Sequence, residues 1–375
     1  MIVQQLSFTP SNWRENIATL NTEASIFLVF VSTKFNDIKE FLKSLQQQYP
    51  NTSIIGCSTA GEISDITVND ETISLTSIQL EKVSFKKVSV QIDNMADSYK
   101  VGQKFAAKLK SKDLKHLLVF SDGLNVNGAN LVSGLKSKLS DVSITGGLAA
   151  DGSDFKKTFV VNDDKVMDRT IVGVGFYGDN LKVGYSSKAG WDSFGIERLV
   201  TKSQYNILYE LDGQPALKLY KSFLGEEAKN LPSSGLMFPL SMRDNETSMP
   251  LIRTILAVNE DEQSLTFAGN IPQGSYVRLM KANIDRLING AEDSAIMANK
   301  GFQKKSELAI LISCVGRRLV LKQMVEEEVE AVRNVLGTKP CITGFYSYGE
   351  IAPFGEFSPC ELHNQTMTIT TLSEC

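Results

Sequence analysis

One phrase recurs in this chain and restricts the fold more than any compositional figure. Ile54-Ile55-Gly56-Cys57-Ser58-Thr59-Ala60-Gly61-Glu62-Ile63 returns near the far end as Cys341-Ile342-Thr343-Gly344-Phe345-Tyr346-Ser347-Tyr348-Gly349-Glu350-Ile351. Both are apolar entries into a Gly-x-x-x-x-Gly-Glu-Ile turn, and both follow an apolar run and an amphipathic stretch. Each therefore closes a strand, helix, strand unit, whose crossover places two parallel strands side by side with a right-handed connection.

In the first unit Ser25 to Val31 is a continuous apolar run, as a strand buried on both faces requires. Ile38, Phe41, Leu42, Leu45 and Tyr49 then share one face of a helix that Asn36 can cap and Pro50 stops, and Ser53 to Cys57 resumes as a strand. A second unit runs from His116 to Phe120, through a helix displaying Leu131, Leu135 and Leu139, to Val142 to Thr145. It ends in Gly146-Gly147-Leu148-Ala149-Ala150-Asp151-Gly152. The third starts at Leu308 to Ile312, shows Leu321, Val325, Val329, Val332 and Leu336 on one helix closed by Gly337, and resumes at Cys341. Three units of one plan imply an internal repeat, and the likeness of the first and third turns suggests duplication of a half.

Between the second and third units the texture changes. Asp168 to Tyr177 and Leu181 to Ser187 read as a strand pair around Gly178-Asp179-Asn180, followed by a loop at Trp191 to Gly195, short strands and a helix near Ala282 to Ala298. The expected fold is α/β, with internally repeated strand-helix-strand units forming mixed sheets in two closely joined domains, 1–190 and 191–375. Its length of 375 residues fits that division, and 42% hydrophobic with 22% charged residues gives an ordinary globular core.

Charge and cysteine usage exclude several classes. A net charge of −4 with no cluster of Lys and Arg argues against a nucleic-acid partner. No stretch approaches the ~18 apolar residues of a membrane span, and Met1 to Leu6 lacks the basic flank of a secretory signal. Five scattered cysteines without a Cys-x-x-Cys pair fit reduced thiols, so a cytoplasmic protein without membrane insertion is expected.

In open α/β sheets ligands collect outside the carboxyl ends of strands. The glycine turns therefore supply the candidate site: Cys57, Ser58, Thr59 and Glu62 from the first, Gly146 and Gly147 from the second, and Tyr346, Tyr348 and Glu350 from the third. Trp191 joins them from the middle region, with Arg253 and Arg278, whose guanidinium groups could clamp a carboxylate. The plainer reading is that the glycine turns only pack the sheets together and that their Glu side chains satisfy backbone donors. Cys57 has no His or Lys neighbour to make it a nucleophile. A metal or haem ligand would have to be His116 or His363, the two histidines. There is no Walker A, no Gly-x-Gly-x-x-Gly after the first strand, and no His-Glu-x-x-His.

Gly56 to Ile63 resembles the signature of the N-terminal FIST domain. Thr343 to Pro353 with His363-Asn364-Gln365-Thr366-Met367-Thr368 resembles the end of the C-terminal FIST domain, and Gly146 to Asp151, Gly190-Trp191 and Leu211 to Ala216 fill the order between. The resemblance implies a stand-alone sensory protein for a small ligand, amino acids among them, without a catalytic residue or cofactor and acting through a separate signalling protein such as a histidine kinase. It also carries an alternative, a haem-based nitric-oxide sensor regulating a histidine kinase. A second alternative, from the turn itself, is an enzyme using Cys57 and Glu62.

Overall fold

A computed structural model describes residues 1–245, 250–302, 306–354 and 358–375. The three expected units are present as parallel pairs: Ile26–Ser32 with Ser53–Thr59, Leu114–Ser121 with Ser143–Leu148, and Leu308–Cys314 with Cys341–Ser347. Each pair is extended on the same side by an antiparallel strand that returns after the glycine turn, Ile73–Gln79, Thr170–Tyr177 and Met367–Glu374, and then by an outer strand. The repeat is thus threefold, each copy heading one six-stranded mixed sheet.

The copies are interlocked. After its glycine turn each makes a small hairpin, and that hairpin pairs with the sheet of another copy. Glu62–Ser64 of the first pairs with Cys341–Ser347 of the third; Val160–Asn162 of the second pairs with Ser53–Thr59 of the first; Gly349–Pro353 of the third pairs with Ser143–Leu148 of the second. At the centre the turns also bond head to tail. Ala150 N–H donates to Ser58 O at 2.9 Å, Ala60 N–H to Tyr346 O at 2.8 Å, and Tyr348 N–H to Leu148 O at 3.3 Å.

The inner faces of the three sheets share one core. Phe30, Phe120 and Phe345, one from each sheet, meet with ring centroids 4.7 to 5.9 Å apart. Cys57 lies in this core, at the position held by Gly147 in the second copy and Phe345 in the third, and Gly147 has no Cβ because Ile312 and Phe345 fill its place. The helices cover the outer faces, with Ile38–Gln48 on the first sheet and Ser98–Leu109, Gly128–Lys136, Ile284–Ala298 and Val325–Leu336 on the others.

Gly56, Gly146 and Gly344 occupy one equivalent position. A Cβ there would lie 1.8 Å from the carbonyl oxygen of Val29, Val119 or Leu311 on the neighbouring parallel strand. Gly344→Ala must push the two strands apart, and a loss of about 1–3 kcal/mol is expected. The denaturation midpoint measures it, and an unchanged midpoint would contradict the close approach.

Several local expectations change. Thr170–Tyr177 and Leu181–Lys188 do not pair, because Ser84–Gln91 and Leu114–Ser121 take both edges of the former; the latter joins the third sheet beside Met367–Glu374. The third unit's helix is two, Val315–Leu321 and Val325–Leu336, divided at Lys322 with φ 52°. The first helix has Asp37, not Asn36, at its N-cap and no side-chain cap. Trp191 to Gly195 is not a loop: Asp192–Gln204 is a long strand of a separate eight-stranded sheet, inserted in the third copy between Leu181–Lys188 and Ile284–Ala298.

Candidate functional site

The carboxyl ends of the parallel strands from all three copies open onto one cleft. Its first lobe, about 450 Å³, is bounded by Lys34 and Thr59 to Gly61 from the first copy, Asp151 to Asp154 from the second, and Val315, Arg318 and Lys322 from the third. Arg318 crosses the junction. It donates to Ala60 O at 2.5 Å and grips both carboxylate oxygens of Asp70 at 2.9 and 2.6 Å. This contact holds the Asp70 carboxyl below its usual range. Gly61 leaves room for the guanidinium, since a Cβ there would lie 2.8 Å from Arg318 Nη1.

Asp151 organises the second wall. Its carboxylate accepts from the backbone N–H groups of Phe155, Lys156 and Lys157 at 3.0, 2.8 and 2.7 Å, and from the Tyr348 hydroxyl. The Phe155 ring then stacks on Tyr348 with centroids 4.6 Å apart. Lys322 and Asp154 also face this lobe and make no ion pair among the described residues. Leu319 and Lys322 also bound a middle lobe of about 540 Å³, and Phe155 is shared between that lobe and a narrow one of about 150 Å³ against the inserted sheet.

The FIST N domain matches residues 25–214 and the FIST C domain residues 216–353. The chain belongs to the FIST family. FIST domains are associated with signal transduction and ligand sensing. An uncharacterized protein of Methanocaldococcus jannaschii is 26% identical over 336 residues, 82% of this chain, and the chain spans 64% of that relative's length. The crystal structure of a cyanuric acid hydrolase from A. caulinodans aligns with 100% of this chain and 99% of its own at 8% identity, with a TM-score of 0.38.

Of the residues expected at the site of this FIST protein, Thr59 and Tyr348 line the cleft. Glu62 and Glu350 lie behind it, in one arrangement used twice. Glu350 accepts from Ser347 Oγ at 2.7 Å and from the Thr366 N–H and Oγ1 at 3.2 and 3.0 Å; Glu62 accepts from the Thr59 hydroxyl and from the Thr72 N–H and Oγ1 at 3.2 and 2.8 Å. Each ties a glycine turn to the start of the returning strand. In the second copy Asp122, just past the first parallel strand, holds the start of the returning strand instead, accepting from Arg169 N–H at 2.6 Å and Thr158 Oγ1 at 2.7 Å. Ser58, Gly146 and Gly147 are buried in the sheets, and Ser58 Oγ accepts from Phe159 N–H at 3.1 Å. Burial pushes the Cys57 thiol well up, away from thiolate chemistry.

The remaining members are elsewhere. Trp191 is buried and donates to Gln365 O at 3.0 Å. Tyr346 donates to Glu328. Arg253 is buried with its donors spent on the carbonyls of Asn270, Ile252 and Leu362, and Arg278 is exposed on the inserted sheet. His116 bonds the Ser143 and Thr145 hydroxyls through its two ring nitrogens, and burial pulls its pKa down to about 3. His363 donates Nε2–H to Ala352 O at 2.8 Å, and its other nitrogen is buried. No histidine lines a described lobe, so neither fits as an axial haem ligand.

Proposed function

We propose that this FIST protein is a non-enzymatic sensor that binds a small zwitterionic or carboxylate-bearing metabolite, such as an amino acid, in the first lobe and passes its state to a separate signalling partner. One observation carries the reading: the lobe is bounded by all three copies and presents an unpaired cation, Lys322, and an unpaired anion, Asp154, among the described residues. A carboxylate and an amine have partners of opposite sign there, while Arg318 and Asp70 neutralise each other at the wall. A ligand contacting three interlocked copies favours one relation between them over others, which is what a sensor needs.

Calorimetry with an amino-acid and metabolite panel tests the proposal. Lys322→Ala is expected to weaken the best binder by about 10- to 100-fold, the value of one charge-assisted hydrogen bond. A panel without a binder, or an affinity indifferent to both Lys322→Ala and Asp154→Asn, would overturn it.

A further inference from the structure

The narrow lobe lies between the threefold body and the inserted sheet. Leu148, Val315 and Tyr348 bound it from the body, and Leu256, Phe267 and Ala268 from the insert. Its volume, about 150 Å³, is that of an apolar cavity able to take one benzene ring. Val315 bounds both this lobe and the charged one, so the two adjoin, and Phe155, Leu236 and Leu256 are shared with the middle lobe.

A packing defect would be lined by apolar atoms alone. This lobe is also lined by the polar residues Asn127, Asn206 and Thr254. The stacked Phe155 and Tyr348 rings stand at its mouth, offering a flat face to an aromatic guest.

We infer that the narrow lobe is the apolar half of the ligand site: the ligand is a small amphiphile whose charged head sits in the first lobe and whose aryl or branched alkyl end is enclosed between body and insert. The inference rests on the zwitterion reading for the head and adds the class of the tail. It also says what moves. The apolar end touches the insert, so occupancy couples the position of the inserted sheet to the threefold body.

The test uses the full chain and three probes: glycine and phenylalanine by calorimetry, and benzyl alcohol by saturation-transfer NMR. Phenylalanine is expected to bind about 10- to 100-fold tighter than glycine, from burial of one apolar side chain. It should also displace benzyl alcohol, and Ala268→Leu, which fills the lobe, should collapse the ratio. Equal affinity for glycine and phenylalanine, or a preference that survives Ala268→Leu, overturns the inference and leaves the charged-head reading standing. Benzyl alcohol bound in a manner abolished by Ala268→Leu, with both amino acids silent, supports the apolar lobe and removes the zwitterionic head. Silence from all three overturns both. If Ala268→Leu does not fold, the ratio and the displacement on the unaltered chain still decide the matter.

Discussion

Arg317→Ala is expected to lower stability by about 3–5 kcal/mol, the cost of leaving one member of a buried ion pair without its partner. Arg317 and Glu328 are both fully buried. The guanidinium gives Nε and Nη2 to Glu328 Oε2 at 3.0 and 2.7 Å, and the other carboxylate oxygen accepts from Ser313 Oγ at 3.1 Å and Tyr346 OH at 2.6 Å. Its remaining donors reach Ala189 O at 2.8 Å and Leu287 O at 2.7 Å, on the two chain segments that enter and leave the inserted sheet. Alanine leaves a buried carboxylate and two carbonyls without this donor. The pair Arg317→Met with Glu328→Leu should recover part of the loss, because apolar replacement of a whole buried pair is often tolerated. Recovery stays incomplete while Ala189, Leu287, Ser313 and Tyr346 lack partners. Denaturant titration of the three variants measures this, and a loss under about 1 kcal/mol for Arg317→Ala would refute it.

The second large effect is a fall in stability with rising pH, carried by Glu350. Burial pushes its carboxyl up to about 8, against lowering by the Ser347 and Thr366 hydrogen bonds, and pushes Glu62 up to about 7. Folding thus favours the neutral acid. The stability it confers is whole below the ordinary carboxyl value and is lost as pH rises through the folded value, on the order of 4 kcal/mol across the window for Glu350. His116 and His363 work in the opposite direction. Burial lowers them to about 3 and 4, so they favour folding less as pH drops below 6.5. The unfolded histidines are still half protonated at pH 6.5, and their opposing contribution fades as pH approaches 8, leaving the carboxyl effect to dominate. Glu350→Gln, neutral at every pH, should match the unaltered protein near pH 5 and exceed it increasingly toward pH 8. Parallel curves for the two proteins would disprove the assignment.

The parallel pairs were legible because strands buried on both faces must be continuous apolar runs, as Leu308 to Cys314 is. The hairpins were not. Glu62–Ser64 and Val160–Asn162 are three residues each, too short for periodicity, and their partners lie in other copies. The site was half legible for a similar reason. The carboxyl ends of the second strands carry the glycine turns, where Glu62 and Glu350 are the visible polar groups. The segments just past the first strands of the first and third pairs carry Lys34 and Arg318, which line the cleft. Nothing local distinguishes Glu350, held by Thr366 from a distant strand, from a carboxylate that faces a ligand.

The exchange of hairpins also sets an order of events during synthesis. The sheet begun by Ile26–Ser32 lacks a neighbour for Ser53–Thr59 until Val160–Asn162 has emerged, and the sheet of the second copy waits for Gly349–Pro353, close to the end of the chain. Domains ordinarily fold one after another as the ribosome releases them, but here the amino-terminal copy stays an open edge until later copies arrive. Contacts spanning nearly the whole sequence make for slow folding. A nascent chain halted between the FIST N and FIST C regions would therefore hold unpaired strands, so the two regions depend on being translated as one piece.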